Sequence, residues 1–177
     1  TQVIDWNDPS ISWEGRGLDR GLRGIAIHDD AIYMAASDEI FAYDRQFNLL
    51  ASFRNPYLKH CHEIFVSNGI LYLASTGFDS ILLFDLRSTS FIRGYCFRYA
   101  SAQDKYLFGQ FDPCASAGPV PGDSVHINNV YVKSGVIYFS GLRISSLMQI
   151  QDSVLKPYAP IPLKTHNAHP YGRGALL

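Results

Sequence analysis

Short apolar runs recur along the whole chain, and Gly, Asn, Asp or Ser residues separate them. Runs of this kind, rich in Val, Ile, Tyr and Phe, predict β-strands. The Asn68-Gly69 pair between two of the runs is a strong hairpin signal. No segment has the sustained apolar period and capping residues that predict a helix. The predicted strands cover residues 24–28, 31–36, 40–43, 48–53, 63–66, 70–75, 80–84, 91–97, 128–132, 136–140, 146–150 and 154–158.

These strands form a repeated unit. Residues 60–72 (HCHEIFVSNGILY) align without gaps with 126–138 (HINNVYVKSGVIY) and with 21–33 (GLRGIAIHDDAIY). A further copy begins near the C-terminus with THNAHPYGRG. Four antiparallel strands repeated at about 40 residues are typical of propeller blades. The sequence therefore predicts an all-β fold, a β-propeller with about three and a half to four blades.

The repeat divides this single propeller domain into segments. The interval between the second and third copies is longer than the others, and the extra residues are rich in Gly, Pro, Ala and Ser. Long ordered loops of this kind often carry binding sites. The predicted segments are an N-terminal ring-closing segment (1–22), three blades (23–56, 57–97 and 125–162), a loop insertion (98–124) and a half-blade (163–177).

Composition narrows the classes of function. Apolar residues make up 47% of the 177 residues and charged residues 18%, as in a globular domain. The formal net charge of −1 gives no basic field for nucleic acid, and no apolar run is long enough to span a membrane. The three cysteines lack C-x-x-C spacing, which indicates reduced thiols and a cytoplasmic location. The alternative is one bridge between Cys96 and Cys114.

The alignment places His60, His126 and His166 at one position, just before the innermost strand of three successive units. Equivalent positions of successive blades converge on the central channel. Neutral imidazoles that converge in this way are suited to a divalent metal. The sequence therefore predicts a zinc, calcium or iron site formed by these three histidines.

Other polar residues are predicted to surround this site. Glu63 directly follows His62 in the sequence and is the candidate general base for a metal-bound water. Asp79 and Arg143 fall in loops on the same rim, as further candidates for ligand contact. The predicted ligand-binding residues are Arg23, His62, Asn128, Asn129, His169 and Arg143. The alternative is that the histidines serve the fold by hydrogen bonding to neighbouring blades.

Two functions from different classes fit this pattern. The first is a site for a small ligand at the channel mouth, with metal-dependent hydrolase or lyase chemistry as its enzymatic form. The second is a non-enzymatic interaction or scaffold module, because propellers have many unrelated functions. Motifs for a serine nucleophile elbow, a phosphate-binding loop or a dinucleotide site are absent from the sequence.

The blade pattern over residues 21–177 resembles NHL-like and strictosidine-synthase-like propellers, which include gluconolactonase-type hydrolases and a zinc-dependent peptide lyase. The segments HEIFVSNGILYLASTGFDSIL and HINNVYV…GVIYFSGLR resemble still more closely the sequences of a group of uncharacterised bacterial propeller proteins. The resemblance implies a metal held at the channel mouth by inner-strand residues. That implication extends to His60, His126 and His166, and to Glu63 and Asn128. Such propellers usually have six blades, whereas this chain accounts for four at most.

Ring closure has three predicted solutions. Residues 1–22 supply the outer strands of the half-blade at 166–177 and close a four-bladed ring. Alternatively, two chains exchange these segments and close a larger ring as a homodimer. The third solution is that the chain is part of a longer protein. An open stack of blades would leave an apolar face exposed, which favours association.

Overall fold

A computed structural model describes residues 22–100 and 105–177. Every regular element in these two ranges is a β-strand. The strands are β1 (Gly24–His28), β2 (Ala31–Ala36), β3 (Glu39–Tyr43), β4 (Leu49–Arg54), β5 (Cys61–Ser67), β6 (Ile70–Ser75), β7 (Ser80–Asp85), β8 (Ser90–Ala100), β9 (Lys105–Phe111), β10 (Ile127–Lys133), β11 (Val136–Gly141), β12 (Ser146–Gln151), β13 (Val154–Pro160), β14 (His169–Tyr171) and β15 (Gly174–Leu176).

The strands form consecutive antiparallel meanders. The first blade is β1–β4, the second β5–β9, the third β10–β13, and β14–β15 form a two-stranded half-blade. In each sheet the strand order follows the chain order. Asn68-Gly69 and Ser134-Gly135 connect β5 to β6 and β10 to β11. All four residues have positive φ values, as the two central residues of a type I′ hairpin turn require. The predicted all-β propeller fold is confirmed, and the twelve predicted strands coincide with β1–β8 and β10–β13.

The second blade differs from the sequence prediction. Residues 98–124 were predicted to be a loop insertion, but residues 98–100 continue β8 and residues 105–111 form a fifth strand, β9. This strand pairs with β8 from Gly94↔Phe111 to Ala100↔Lys105. Tyr106 and Phe108 pack against the core between the second and third blades. Among the described residues of this segment, 112–124 form no regular strand, as predicted.

The hydrophobic core lies in layers between successive blades. In β7, Ile81 and Leu83 pack toward the third blade, whereas Leu82 and Phe84 pack toward the first. Because both faces of the middle blade are covered, this strand is apolar at every position from Ile81 to Phe84 and shows no alternation. Full burial of one such side chain contributes about 1.5–3 kcal/mol. Inter-blade packing is therefore the main force that fixes the angle between blades.

The half-blade packs on the third blade. Ala168 is fully buried in a cluster with Tyr138, Leu147 and Ile161. Residues 1–21 lie outside the described ranges, so the ring closure predicted for 1–22 stays a prediction. Within the described ranges, no helix has the length and hydrophobicity needed to cross a bilayer. Cys61, Cys96 and Cys114 are all free thiols.

Candidate functional site

A polar cleft opens where the innermost strands β1, β5 and β10 begin. We call it the channel-mouth cleft, and its volume is about 640 Å³. Loops of the second blade and residues 121–123 complete its walls. The cleft is lined by Arg23, Lys59, His60, His62, Thr76, Gly77, Pro121, Gly122, Asp123 and His126.

The backbone before β5 and β10 has the same unusual conformation. His60 and His126 have φ values of 53° and 56°, in the left-handed region that non-glycine residues seldom adopt. Each strand then has an irregular register at its start, between Cys61 and Ile64 in β5 and between Ile127 and Asn129 in β10. Bulges of this kind redirect side chains. The two aligned histidines therefore do occupy equivalent places, at the entry to a bulged inner strand.

His62 is the imidazole at the centre of the cluster. Its ring centroid lies 5.6 Å from that of His126 and 6.5 Å from that of His166. On another side, Arg23 Nη1 lies 3.0 Å from His62 Nε2 and 3.3 Å from Nδ1. Four side chains from successive units thus meet at one place. The alignment predicted a set of His60, His126 and His166 with His62 nearby, and the ring that lies beside the other two is that of His62, two residues after His60.

His60 lines the same cleft from the second blade. Its backbone N–H donates to Ser37 Oγ at 3.3 Å, and the N–H of Cys61 donates to Ser37 O at 2.9 Å. These bonds hold the start of β5 against the first blade. Gly77 is required nearby, because a Cβ at that position would lie 3.0 Å from His60 Cδ2.

Asp123 organises the opposite wall. Its Oδ1 lies 2.7 Å from His126 Nδ1, and its Oδ2 accepts a hydrogen bond of 3.0 Å from Arg143 Nη2. A carboxylate only accepts, so this contact places the proton of His126 on Nδ1 and leaves Nε2 as the acceptor. Arg143, predicted to bind ligand, is therefore engaged with Asp123 at the edge of the cleft.

Asp79 holds the loop that carries His126. Its side chain is only 1% exposed. Oδ2 accepts hydrogen bonds from the backbone N–H groups of Ser124 and Val125 and from Ser124 Oγ, and Oδ1 accepts one from the N–H of His126. Burial raises the pKa of the Asp79 carboxyl, while these hydrogen bonds lower it. Asp79 was a candidate for ligand contact, but its oxygens are occupied by backbone.

The predicted residues of the third blade join it to the half-blade. Asn128 Nδ2 donates to Thr165 O at 3.0 Å and lies 3.3 Å from His166 Nδ1. Asn129 Nδ2 donates to Ala168 O at 2.6 Å. Both asparagines are buried. His169 packs edge-on against Tyr131, with ring centroids 4.6 Å apart, and burial lowers the pKa of His169. These contacts position His166 beside His62. Asn128, Asn129 and His169 are not among the residues that line the cleft.

The predicted metal site stays a prediction. Within residues 22–100 and 105–177, no group of three or more His, Cys, Asp or Glu side chains is positioned to hold a metal ion. His60, His126 and His166 do not form such a set. Glu63, the predicted general base, accepts a hydrogen bond from the N–H of Ile64 at 3.1 Å and is not among the residues of the cleft. Burial raises the pKa of the Glu63 carboxyl.

Several residues of the cleft were not predicted from the sequence. Lys59, Thr76 and Asp123 line it, and Thr76 Oγ1 donates to Ile127 O of the third blade. Lys59 and Thr76 were detectable, because they lie beside the aligned His60 and in the loop between β6 and β7 on the same rim. Asp123 carried no such signal, since residues 112–124 have no counterpart in the other blades.

Comparisons with known proteins bear on the fold. No protein-family profile and no curated protein sequence matches the chain. Among solved structures, virginiamycin B lyase from Staphylococcus aureus is similar with a TM-score of 0.50 and 12% identity, over 84% of this chain and 44% of that one. Glutaminyl cyclase from Myxococcus xanthus has a TM-score of 0.45 and 15% identity, over 72% and 46%. The Neurospora crassa Pan2 WD40 domain has a TM-score of 0.41 and 11% identity, over 80% of this chain and 52% of that one.

The chain spans less than half the length of the lyase that it matches. At this level of identity the similarity shows the fold and not the chemistry. The assignment to the NHL-like or strictosidine-synthase-like group stays a prediction. The successive antiparallel blades and the similarity to the lyase agree on the fold, and the chain is a β-propeller-like protein with a polar cleft at the start of its inner strands.

Proposed function

We propose that this propeller binds a small anionic molecule in the channel-mouth cleft. The observation that carries the proposal is the convergence of Arg23 and His62 from two successive blades, with Lys59 in the lining of the same cleft. Guanidinium and imidazole groups are hydrogen-bond donors suited to carboxylate and phosphate oxygens. The cleft volume of about 640 Å³ lies within the range of sites for small molecules.

The charges around the cleft favour an anion. Arg23 and Lys59 are permanent cations among its lining residues, and Asp123 is the single carboxylate among those that the structure describes. That carboxylate already accepts from Arg143 and contacts His126, so its charge is compensated at the wall. An incoming anion would therefore meet the side chains of Arg23 and Lys59, while the one carboxylate of the described lining is already engaged with Arg143 and His126. Charge-assisted hydrogen bonds of this kind are about twice as strong as neutral ones.

Hydrolase or lyase chemistry in the same cleft is a second candidate, supported by the contact between Asp123 and His126. An imidazole oriented by a carboxylate through Nδ1 can accept a proton at Nε2, as a general base does. His126 therefore replaces Glu63 as the candidate base. The similarity of the fold to a structure named virginiamycin B lyase is compatible with this chemistry, although it does not specify it.

Isothermal titration calorimetry with inorganic phosphate and with citrate tests the anion site. We expect saturable binding by the unaltered chain and about tenfold weaker binding by Arg23→Gln, because one charge-assisted contact is worth roughly 1.5–3 kcal/mol. His62→Gln should also weaken binding. The matched control is Arg45→Gln, since Arg45 pairs with Asp30 at a surface turn of the same blade.

Two results would overturn the proposal. The first is absence of heat with both anions, or an Arg45→Gln variant that weakens binding as much as Arg23→Gln does. The second comes from elemental analysis of the purified chain. One zinc, calcium or iron ion per chain that is lost in His126→Ala would establish the metal site first predicted from the sequence.

A further inference from the structure

A second pocket lies beside the channel-mouth cleft and has a different character. We call it the apolar pocket, and its volume is about 590 Å³. One wall is formed by β8 and β9 of the second blade, and the other by residues 119–122. Aromatic and aliphatic side chains dominate the described residues of its lining, among which Arg98 is the one permanent cation and the buried Asp79 is the one carboxylate. Pro121 and Gly122 contribute to both pockets, so they form the partition between them.

The pocket exists because β8 extends beyond the ordinary blade and pairs with β9. The first and third blades have four strands each, whereas the second has five. On one face of this ribbon Arg98 pairs with Leu107 and Cys96 with Gly109, and all four line the pocket. The Phe97 and Phe108 rings stack on the other face, with centroids 5.6 Å apart, and anchor the ribbon to the core toward the third blade. The additional strand therefore creates a concave apolar surface at this one place in the described blades.

Hydrogen bonds fix the opposite wall at a set distance from the ribbon. The N–H of Tyr99 donates to Ser124 Oγ at 3.2 Å, and Ser124 Oγ donates to Asp79 Oδ2 at 3.0 Å. The N–H of Gly122 also donates to Gly77 O at 3.0 Å. The two walls are thus tied together at the base of the pocket. A site whose walls are held apart in this way is largely formed before its ligand arrives.

Large apolar side chains at the mouth of the pocket remain open to solvent. Tyr99 is 37% exposed, Leu107 42% and Val120 73%. Clustered exposure of this kind is typical of ligand and protein contact sites. The concave shape and the volume favour a small molecule. Arg98 is exposed among these residues, so a ligand with one negative group would pair that group with the guanidinium while its apolar part fills the pocket.

We propose that the apolar pocket binds small molecules that combine an aromatic or alicyclic ring system with a single carboxylate or sulfonate. The ring system contacts Leu107 of the ribbon and Phe78, Val120 and Pro121 of the opposite wall, and the acid group lies against Arg98, which shares a face with Leu107. This site is separate from the anion site of the channel-mouth cleft and does not depend on it. It is a second ligand site of the same molecule.

Two dyes that differ by one acid group test the proposal. 1-Anilinonaphthalene-8-sulfonate carries a sulfonate, and N-phenyl-1-naphthylamine is the same ring system without it. Fluorescence titration should give saturable binding of one dye molecule per chain. Val120→Asp should weaken both dyes about tenfold, because a charge then lies in the apolar wall. Arg98→Gln should weaken the sulfonate dye about threefold to fivefold and leave the neutral dye unchanged.

The matched control is Val154→Asp, which makes the same change at a valine that is 57% exposed in the third blade. Both valines are exposed, so thermal melting should show that both variants fold. Equal effects of Val120→Asp and Val154→Asp, or binding without saturation, would overturn the proposal. So would equal weakening of the two dyes by Arg98→Gln. Arg23→Gln should leave dye binding unchanged, which separates this result from failure of the channel-mouth proposal.

Discussion

At the scale of single residues, Asp79 shows how one buried side chain determines the position of another. Its two carboxylate oxygens accept from three consecutive backbone N–H groups, those of Ser124, Val125 and His126. The loop therefore enters β10 with His126 held toward the cleft. Asp79 is not among the residues that line the channel-mouth cleft, although it does line the apolar pocket. It is a positioning residue, and its removal should lower the free energy of unfolding and make this loop less ordered.

Asp79→Asn is expected to lower the free energy of unfolding by about 3 kcal/mol, because the new amide NH₂ faces backbone donors that then lack an acceptor. Denaturant unfolding measures this change, and hydrogen exchange should show faster exchange at residues 124–126. Asp85→Asn is the matched control, since Asp85 accepts from the N–H groups of Arg87 and Ser88 in a turn open to water. Similar losses in the two variants would contradict the role assigned to Asp79.

Sequence reasoning identified the neighbourhood of the cleft but misassigned individual side chains. Alignment correctly indicated that residues at the start of the inner strands converge, and Arg23, His60, His62 and His126 do line one cleft. It did not distinguish His60 from His62, because a β-bulge decides which of two nearby side chains faces the axis. Nor did it predict that the buried Asn128 and Asn129 bond to the backbone of the half-blade, since that depends on the packing of residues distant in sequence.

At the scale of secondary structure, β9 is the element that the sequence analysis missed. Its apolar run of Tyr106, Leu107 and Phe108 is typical of a strand, but the surrounding Gly, Pro and Ser residues suggested a loop. The strand is fixed at its end by Phe111, which pairs with Gly94 of β8. A Cβ on Gly94 would lie 2.2–2.6 Å from atoms of the Phe111 ring. The aromatic ring thus covers a glycine that has no side chain of its own to pack.

Gly94→Ala should displace Phe111 and loosen β9, at a cost of roughly 1–3 kcal/mol for overpacking. Thermal unfolding would detect the lower stability, and limited proteolysis should show new cleavage within residues 105–118. Gly174→Ala is a suitable comparison, because a Cβ in that strand would meet its nearest atom only at 3.8 Å. If both alanine variants resist protease equally and melt alike, Phe111 does not anchor the fifth strand.

At the scale of the whole molecule, the first blade has two unlike faces. On β1, Gly24 and Ala26 are buried on the side that packs against β5 of the second blade. Ile25 and Ile27 lie on the other face and are 58% and 61% exposed, whereas Met34 and Phe41 of β2 and β3 on that same face are buried in a cluster of their own. Propeller blades are normally covered on both faces, as β7 is in this structure. An exposed isoleucine pair on an innermost strand therefore marks a surface suited to a further blade, and a second copy of this chain can supply one.

We expect the chain to associate as its concentration rises and the double variant Ile25→Lys/Ile27→Lys to remain monomeric, because two cations prevent burial of this face. Light scattering coupled to size exclusion over a range of concentrations measures the mass directly. Leu49→Lys/Leu50→Lys provides the control, since these leucines are 57% and 59% exposed on β4, the outermost strand of the same blade, away from the innermost strands where blades meet. A chain that is monomeric at every concentration would contradict the expectation, as would equal loss of association in both double variants, which would indicate nonspecific contact between exposed apolar residues.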